Sequence, residues 1–349
     1  MVSIINNFYS HSKILFPYIR KRSSKLMLAS ILTIKDNMKT LLMVLLLMPF
    51  VLSGATLYVA LDGSQAYSSI QSAVNAAADQ DTILIYPGTY YENIEIIGRN
   101  LSIGSLEFTT ADSTYIAQTV IDANQSGSCF NITEDSEITL QGLYLTNGIG
   151  TPSFNWGDRK GGAVCVSESN INIINCRLIG NEAWTGAGVY LLHSFAYLAG
   201  TVITDNWEKC FGALTFAGYS LDGPRTLEFD PINRCSIYNN IAGSCGNDIT
   251  IISQFYNSID IYLDKATVAA NSPYLKECIY TEQYDTDQEF TYNAFINEAV
   301  TQQQFADLYV SSEGDDSNSG LTPQTALKTI ALGADWDQNA PYNNYCPYD

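Results

Sequence analysis

Three of the four tryptophans, Trp156, Trp184 and Trp207, fall in the turn of a repeating segment that precedes each short apolar stretch. Asp158, Arg159, Glu182 and Glu208 stand beside them, and Tyr190 follows close behind Trp184. A flat apolar ring bordered by hydrogen-bonding side chains is what holds the face of a sugar. Trp156, Trp184, Trp207, Tyr190, Glu182 and Glu208 are therefore the candidate ligand contacts, with Tyr190 expected to face outward along the same edge. The competing reading has the indoles covering turn backbone and apolar corners instead.

No catalytic residue is nominated. Beyond residue 55 the only histidine is His193, expected on a surface turn, which excludes His-dependent triads and His metal sites. No CxxC spacing occurs, so no zinc site is predicted. Acidic residues are too plentiful to single out the paired carboxylates of a glycoside hydrolase. Asp315, Asp316 and Asn318 offer oxygens to Ca²⁺, but such clusters are also what any turn uses, and no cofactor is predicted. The eight cysteines do not form a compact disulfide framework. Cys176 and Cys235 are expected as unpaired buried thiols, whereas Cys235 and Cys245 flank one turn and either bridge it or stay free.

Charge and composition narrow the classes. The chain has 349 residues, 36 Asp+Glu against 17 Lys+Arg, and a net charge of −19. With no basic face to displace counterions, a nucleic-acid partner is excluded. The segment Leu41–Leu52 is apolar but only 12 residues long, too short at 1.5 Å per residue to cross a ~30 Å hydrocarbon core. Lys39 before it and Ser53-Gly54-Ala55 after it complete a secretory signal, so residues 38–55 are expected to be removed and no transmembrane helix to remain. Residues 1–37 then read as an over-called extension. Removing residues 1–55 leaves 10 basic against 35 acidic residues.

The elements that must position the tryptophans repeat. GGAVCV (161–166), GAGVYL (186–191) and FGALTF (211–216) follow one another at 25-residue steps. They align Val164, Val189 and Leu214 in one column and Val166, Leu191 and Phe216 in another, extended by Phe130, Ile132, Ile249 and Ile251. A second column holds Leu145, Leu178, Ile203 and Ile237, trailed by Asn181, Asn206 and Asn240 at a fixed offset of three. Side chains alternate along a strand, so these columns predict inward faces stacked coil upon coil, with Asn amides bonded along the stack.

On these columns residues 56–270 resemble a parallel β-helix of the pectin-lyase-like superfamily. The resemblance implies an all-β, right-handed parallel β-helix solenoid with an N-terminal capping helix. Ser68–Ala78 supplies that helix, with Ile70, Ala73, Val74 and Ala77 as its apolar stripe, since a solenoid end must be covered. GTYYE (88–92) resembles the GxYxE of pectin methylesterases, yet that family's DFIFG-like and LGRPW-like motifs are missing, as are the NTD, GHG and RIK motifs of polygalacturonases. Residues 271–306 read as a connector that takes in the end of the first solenoid. Residues 307–349 resemble the truncated opening of a second β-helix.

The reading that follows is a secreted or cell-surface binding or adhesion module whose partner is a polysaccharide or cell-surface glycan. The alternatives are a Ca²⁺-dependent polysaccharide lyase or a glycoside hydrolase of the same fold, or a purely structural surface repeat.

Overall fold

The computed structural model of the protein describes residues 54–152, 158–218, 226–242, 247–253, 258–269, 279–283 and 291–302. One winding shows how the sequence makes the fold. Val164–Ser167, Asn170–Ile174 and Arg177–Ile179 are three short strands separated by two-residue corners. Each corner opens on a residue in the left-handed region: Glu168 (φ +49°), Asn175 (φ +52°) and Gly180 (φ +69°). A single left-handed residue turns the chain sharply enough for the next strand to start on a new face. In the next winding His193 (φ +48°) stands where Glu168 stood, a half-buried corner residue.

Stacking of such windings gives three long sheets. The first runs from Ile94–Ile97 through Phe130–Thr133, Val164–Ser167, Val189–Leu192, Leu214–Gly218 and Ile249–Ser253 to Ile279–Gln283. The second and third contain seven and eight strands, and every pairing in the three is parallel. This is a parallel β-helix, with the right-handed sense that parallel crossovers take. The register is the one the columns predict: Val164 pairs with Phe130 and Val189, and Leu214 with Val189 and Ile249. Leu178 likewise pairs with Leu145 and Ile203, and Ile203 with Ile237. All these side chains are fully buried, each worth about 1.5–3 kcal/mol relative to exposure.

Corner polar groups are satisfied along the stack. Asn206 Oδ1 accepts from the backbone N–H and the Nδ2 of Asn181 (3.0 and 3.1 Å), and Asn240 Oδ1 accepts the same pair from Asn206 (3.1 and 3.0 Å). The buried carboxylate of Asp248 ends this ladder. One of its oxygens accepts from Asn240 Nδ2 at 2.9 Å, and the other from the Thr267 N–H at 3.1 Å. A second ladder passes through Ser136, Ser169 and Ser194.

At the amino-terminal side a helix spans Ile70–Ala76, with Ser69 as its N-cap. Ile70, Ala73, Val74 and Ala77 share a core with Val59, Ile83 and Ile85, as the stripe predicts. Glu92, the last residue of GTYYE, accepts from the N–H groups of Ile70 and Gln71 (both 2.9 Å) and from Ser69 Oγ (3.1 Å). The motif therefore has a structural use here, a carboxylate held against the positive end of a helix.

Two features bear on segments where the columns fade. Within 271–306, the strands Ile279–Gln283 and Thr291–Gln302 carry the first and third sheets one winding further, in register with Ile249–Ser253 and Ser258–Ala269. Asn293, Asn297 and Glu298 are exposed beside Phe295, a mixture that hides the period from the sequence. Cys235 is a free buried thiol and does not bridge to Cys245, which lies outside the described residues. Burial pushes the Cys129, Cys165, Cys176 and Cys235 thiols up to about 12, so they behave as small apolar groups. Among the described residues no helix is long and apolar enough to cross a membrane.

Candidate functional site

The segments that carry Trp184 and Trp207 are strands, not turns. Glu182–Thr185 and Trp207–Phe211 pair in parallel, Glu182 with Trp207 and Ala183 with Glu208, with a register shift before Thr185. Ile241–Ala242 extends this fourth sheet on one side, and a two-residue hairpin, Thr151–Pro152 against Arg159–Lys160, extends it on the other. The sheet fills the corner between the third and first sheets. Gly186 (φ +65°) turns the chain from it into the first sheet; a Cβ there would sit 2.6 Å from the Val189 carbonyl oxygen.

Strand alternation then sorts the candidates. Glu182, Trp207 and Lys209 face outward and are exposed, while Ala183, Thr185, Glu208 and Cys210 face inward and are buried. The outward set floors a cleft of about 390 Å³. Gln125, Ile149 and Arg159 wall it. Trp207 is 47% exposed and presents an open indole. Trp184 is half-buried against Cys210, Phe211 and Ile252, and the Lys209 ammonium lies 3.9 Å from its ring centroid. That cation–π contact covers one indole face, which leaves Trp207 as the ring open to a ligand. Arg159 is held by the Gly150 carbonyl oxygen, to which it donates at 3.1 Å.

Two candidates prove to be elsewhere, and one lies outside the described residues. Tyr190 does point away from the main core, but it is only 2% exposed and does not reach the edge. Lys160 donates to its hydroxyl at 3.2 Å and lies 4.9 Å from its ring centroid. Glu208 is fully buried and faces away from the cleft, because it alternates with Trp207 and Lys209. Trp156 falls outside the described residues, as do Asp315, Asp316 and Asn318.

The environment of Glu208 is unusual. Neither carboxylate oxygen has a hydrogen-bond partner. Burial first, and the nearby Asp248 charge second, hold its carboxyl well above the usual range. Burial also raises Asp248, to about 6, against the pull of its donors Asn240 and Thr267. Cys210, two residues along the same strand, is disulfide-bonded. Its sequence context gives no sign of this. Among the described residues no group of three or more His, Cys, Asp or Glu is arranged to hold a metal ion.

No family model matches the chain, and no curated protein matches it. Among solved structures it is similar to the pectin methylesterase from Aspergillus niger, at 15% identity and a TM-score of 0.41, over 82% of this chain and 96% of that one. It is also similar to the pectin methylesterase from carrot, at 14% identity and a TM-score of 0.35, over 80% of this chain and 94% of that one. A third neighbour is a pectin methylesterase in complex with a hexasaccharide, at 12% identity and a TM-score of 0.34, over 83% of this chain and 98% of that one. Values this low transfer no residue and no activity.

Proposed function

We propose that the protein is a secreted or cell-surface β-helix module that binds carbohydrate in the cleft floored by Trp207. The observation that carries this is the open indole of Trp207, 47% exposed in a cleft lined with groups that donate or accept hydrogen bonds. The C–H face of a sugar ring is apolar and packs on an indole, while its rim of hydroxyls needs donors and acceptors in the ring plane. Gln125, Glu182, Arg159 and Lys209 supply both kinds at the borders of that ring. Export rests on the apolar segment Leu41–Leu52 and the small residues that follow it.

Catalysis is the weaker reading. Hydrolysis by two carboxylates needs a pair facing one another across the sugar. Among the described lining residues Glu182 is the single carboxylate, since Glu208 turns inward. The test is binding of the full chain to an array of immobilised oligosaccharides, neutral and uronate-containing. A Trp207→Ala variant is expected to lose at least tenfold in affinity, about 1.4 kcal/mol. Unchanged binding by that variant, or no glycan retained by the parent chain, overturns the proposal.

A further inference from the structure

We propose that Glu208 is a buried proton-binding group whose ionisation loosens the strand flooring the tryptophan cleft, so that the cleft is held most firmly in mild acid. The functional consequence rests on the carbohydrate reading of the cleft; the physical claim stands without it. Glu208 is 0% exposed, and both of its oxygens lack partners. Its neighbours across the fourth sheet are Ala183 and Ala242, which bring neither charge nor side-chain donor. The Ala187 N–H lies toward it without reaching hydrogen-bonding geometry. The charged group facing it is Asp248, whose oxygens are directed at Asn240 and Thr267. Lys209, the nearest cation in the strand, points to the opposite face.

An unpaired carboxylate in such a corner has no donor to replace lost hydration, and a second carboxylate nearby raises the cost. The folded chain therefore retains protons that the unfolded chain releases. Both carboxyls are raised in the folded state, so the penalty is absent below the unfolded values near 4. It grows as pH rises through about 6 for Asp248 and through the raised range of Glu208, and stability falls over that window. The exposed carboxyls of Asp62, Asp112 and Asp230 are shifted the other way, held low by hydrogen bonds, and act only below this range. Trp207 and Lys209 flank Glu208 in one strand, so strain on Glu208 is delivered directly to the cleft floor.

Thermal unfolding of the full chain at pH 5.0 and pH 7.5 tests this, with Glu208→Gln and Glu208→Met beside the parent. The parent is expected to melt at least about 5 °C lower at pH 7.5 than at pH 5.0. Either variant should lose at least half of that difference and melt above the parent at pH 7.5. Amide hydrogen exchange over residues 207–211 of the parent, corrected for intrinsic rates, should quicken at pH 7.5 relative to the rest of the sheet. A parent whose melting point and exchange ignore pH, or variants that keep the full pH difference, overturn the inference. No sugar enters these measurements, so their failure is separate from a failure of glycan binding.

Discussion

Asn206 and Glu208 are two residues apart at one corner of the solenoid, and both are fully buried. Asn206 is bonded through every side-chain atom able to bond: its oxygen accepts twice from Asn181, and its nitrogen reaches Leu178 O, Thr204 O and Asn240 Oδ1. The Glu208 carboxylate makes no hydrogen bond. Burial is the same; only the supply of partners differs. An amide carries both donors and acceptors and can repeat indefinitely along a stack of identical corners, whereas a carboxylate only accepts and must end a row. Asp248 does that at the last corner of the ladder, with Asn240 and Thr267 as donors. Glu208 interrupts a row of alanines, whose side chains offer no donor. A buried polar group is thus a fixture of the fold in one case and a titratable weak point in the other.

The most severe way to break this comparison is to turn the satisfied site into the unsatisfied one. Asn206→Asp keeps the shape but removes the donors to Leu178, Thr204 and Asn240, and it sets a carboxylate oxygen against the Asn240 Oδ1 acceptor. The expected cost at pH 7.5 is about 4 kcal/mol, read as a lower midpoint in urea, with part of it recovered at pH 5 as the new carboxyl binds a proton. An Asn206→Asp chain as stable as the parent at pH 7.5 would mean that the ladder does not discriminate amide from carboxylate.

Glu92 supplies the intermediate case, a half-buried carboxylate with three donors. Glu92→Ala removes the acceptor for the first turn of helix Ile70–Ala76, and a loss of about 1–2 kcal/mol is expected. The same urea titration measures it. Loss of less than a few tenths of a kcal/mol would show that water replaces the carboxylate at that helix end without penalty.

The inward columns were legible because a 25-residue period places each residue in the same environment as its equivalent one coil away. Val164, Val189 and Leu214 announce one another, as do Asn181, Asn206 and Asn240. The stripe of the amino-terminal helix was legible for a similar reason, since its spacing has one physical cause. The fourth sheet was not. EAWT and WEKCF are short, interrupted by a register shift and mixed in polarity, so they read as turn, and a turn has no alternation to sort its side chains. Once they are strands, Trp207 and Glu208 must part company. That single step explains why the indoles reach the cleft and the acid does not. Tyr190 was misplaced for a related reason. It faces away from the main core as alternation requires, but the sequence does not reveal that Lys160 and its hairpin cover that face.

The smallest expected effect separates site from scaffold most cleanly. Trp207 is exposed on the outer face of its strand, bordered by Glu182 on one side and Ile241 on the other. Its indole adds little to the core cluster of Cys210, Phe211 and Ile252, against which Trp184 packs instead. Trp207→Ala should therefore change the urea midpoint by no more than about 0.5 kcal/mol, the range of ordinary surface substitutions. Trp184→Ala should cost more, about 1–2 kcal/mol, because it removes packing and the contact with Lys209. If Trp207→Ala destabilised the chain as much as Trp184→Ala, its exposure would serve the scaffold, and the open ring would be no evidence of a ligand. A large ring left in water at no gain to the fold is the expected mark of a surface kept for something outside the chain.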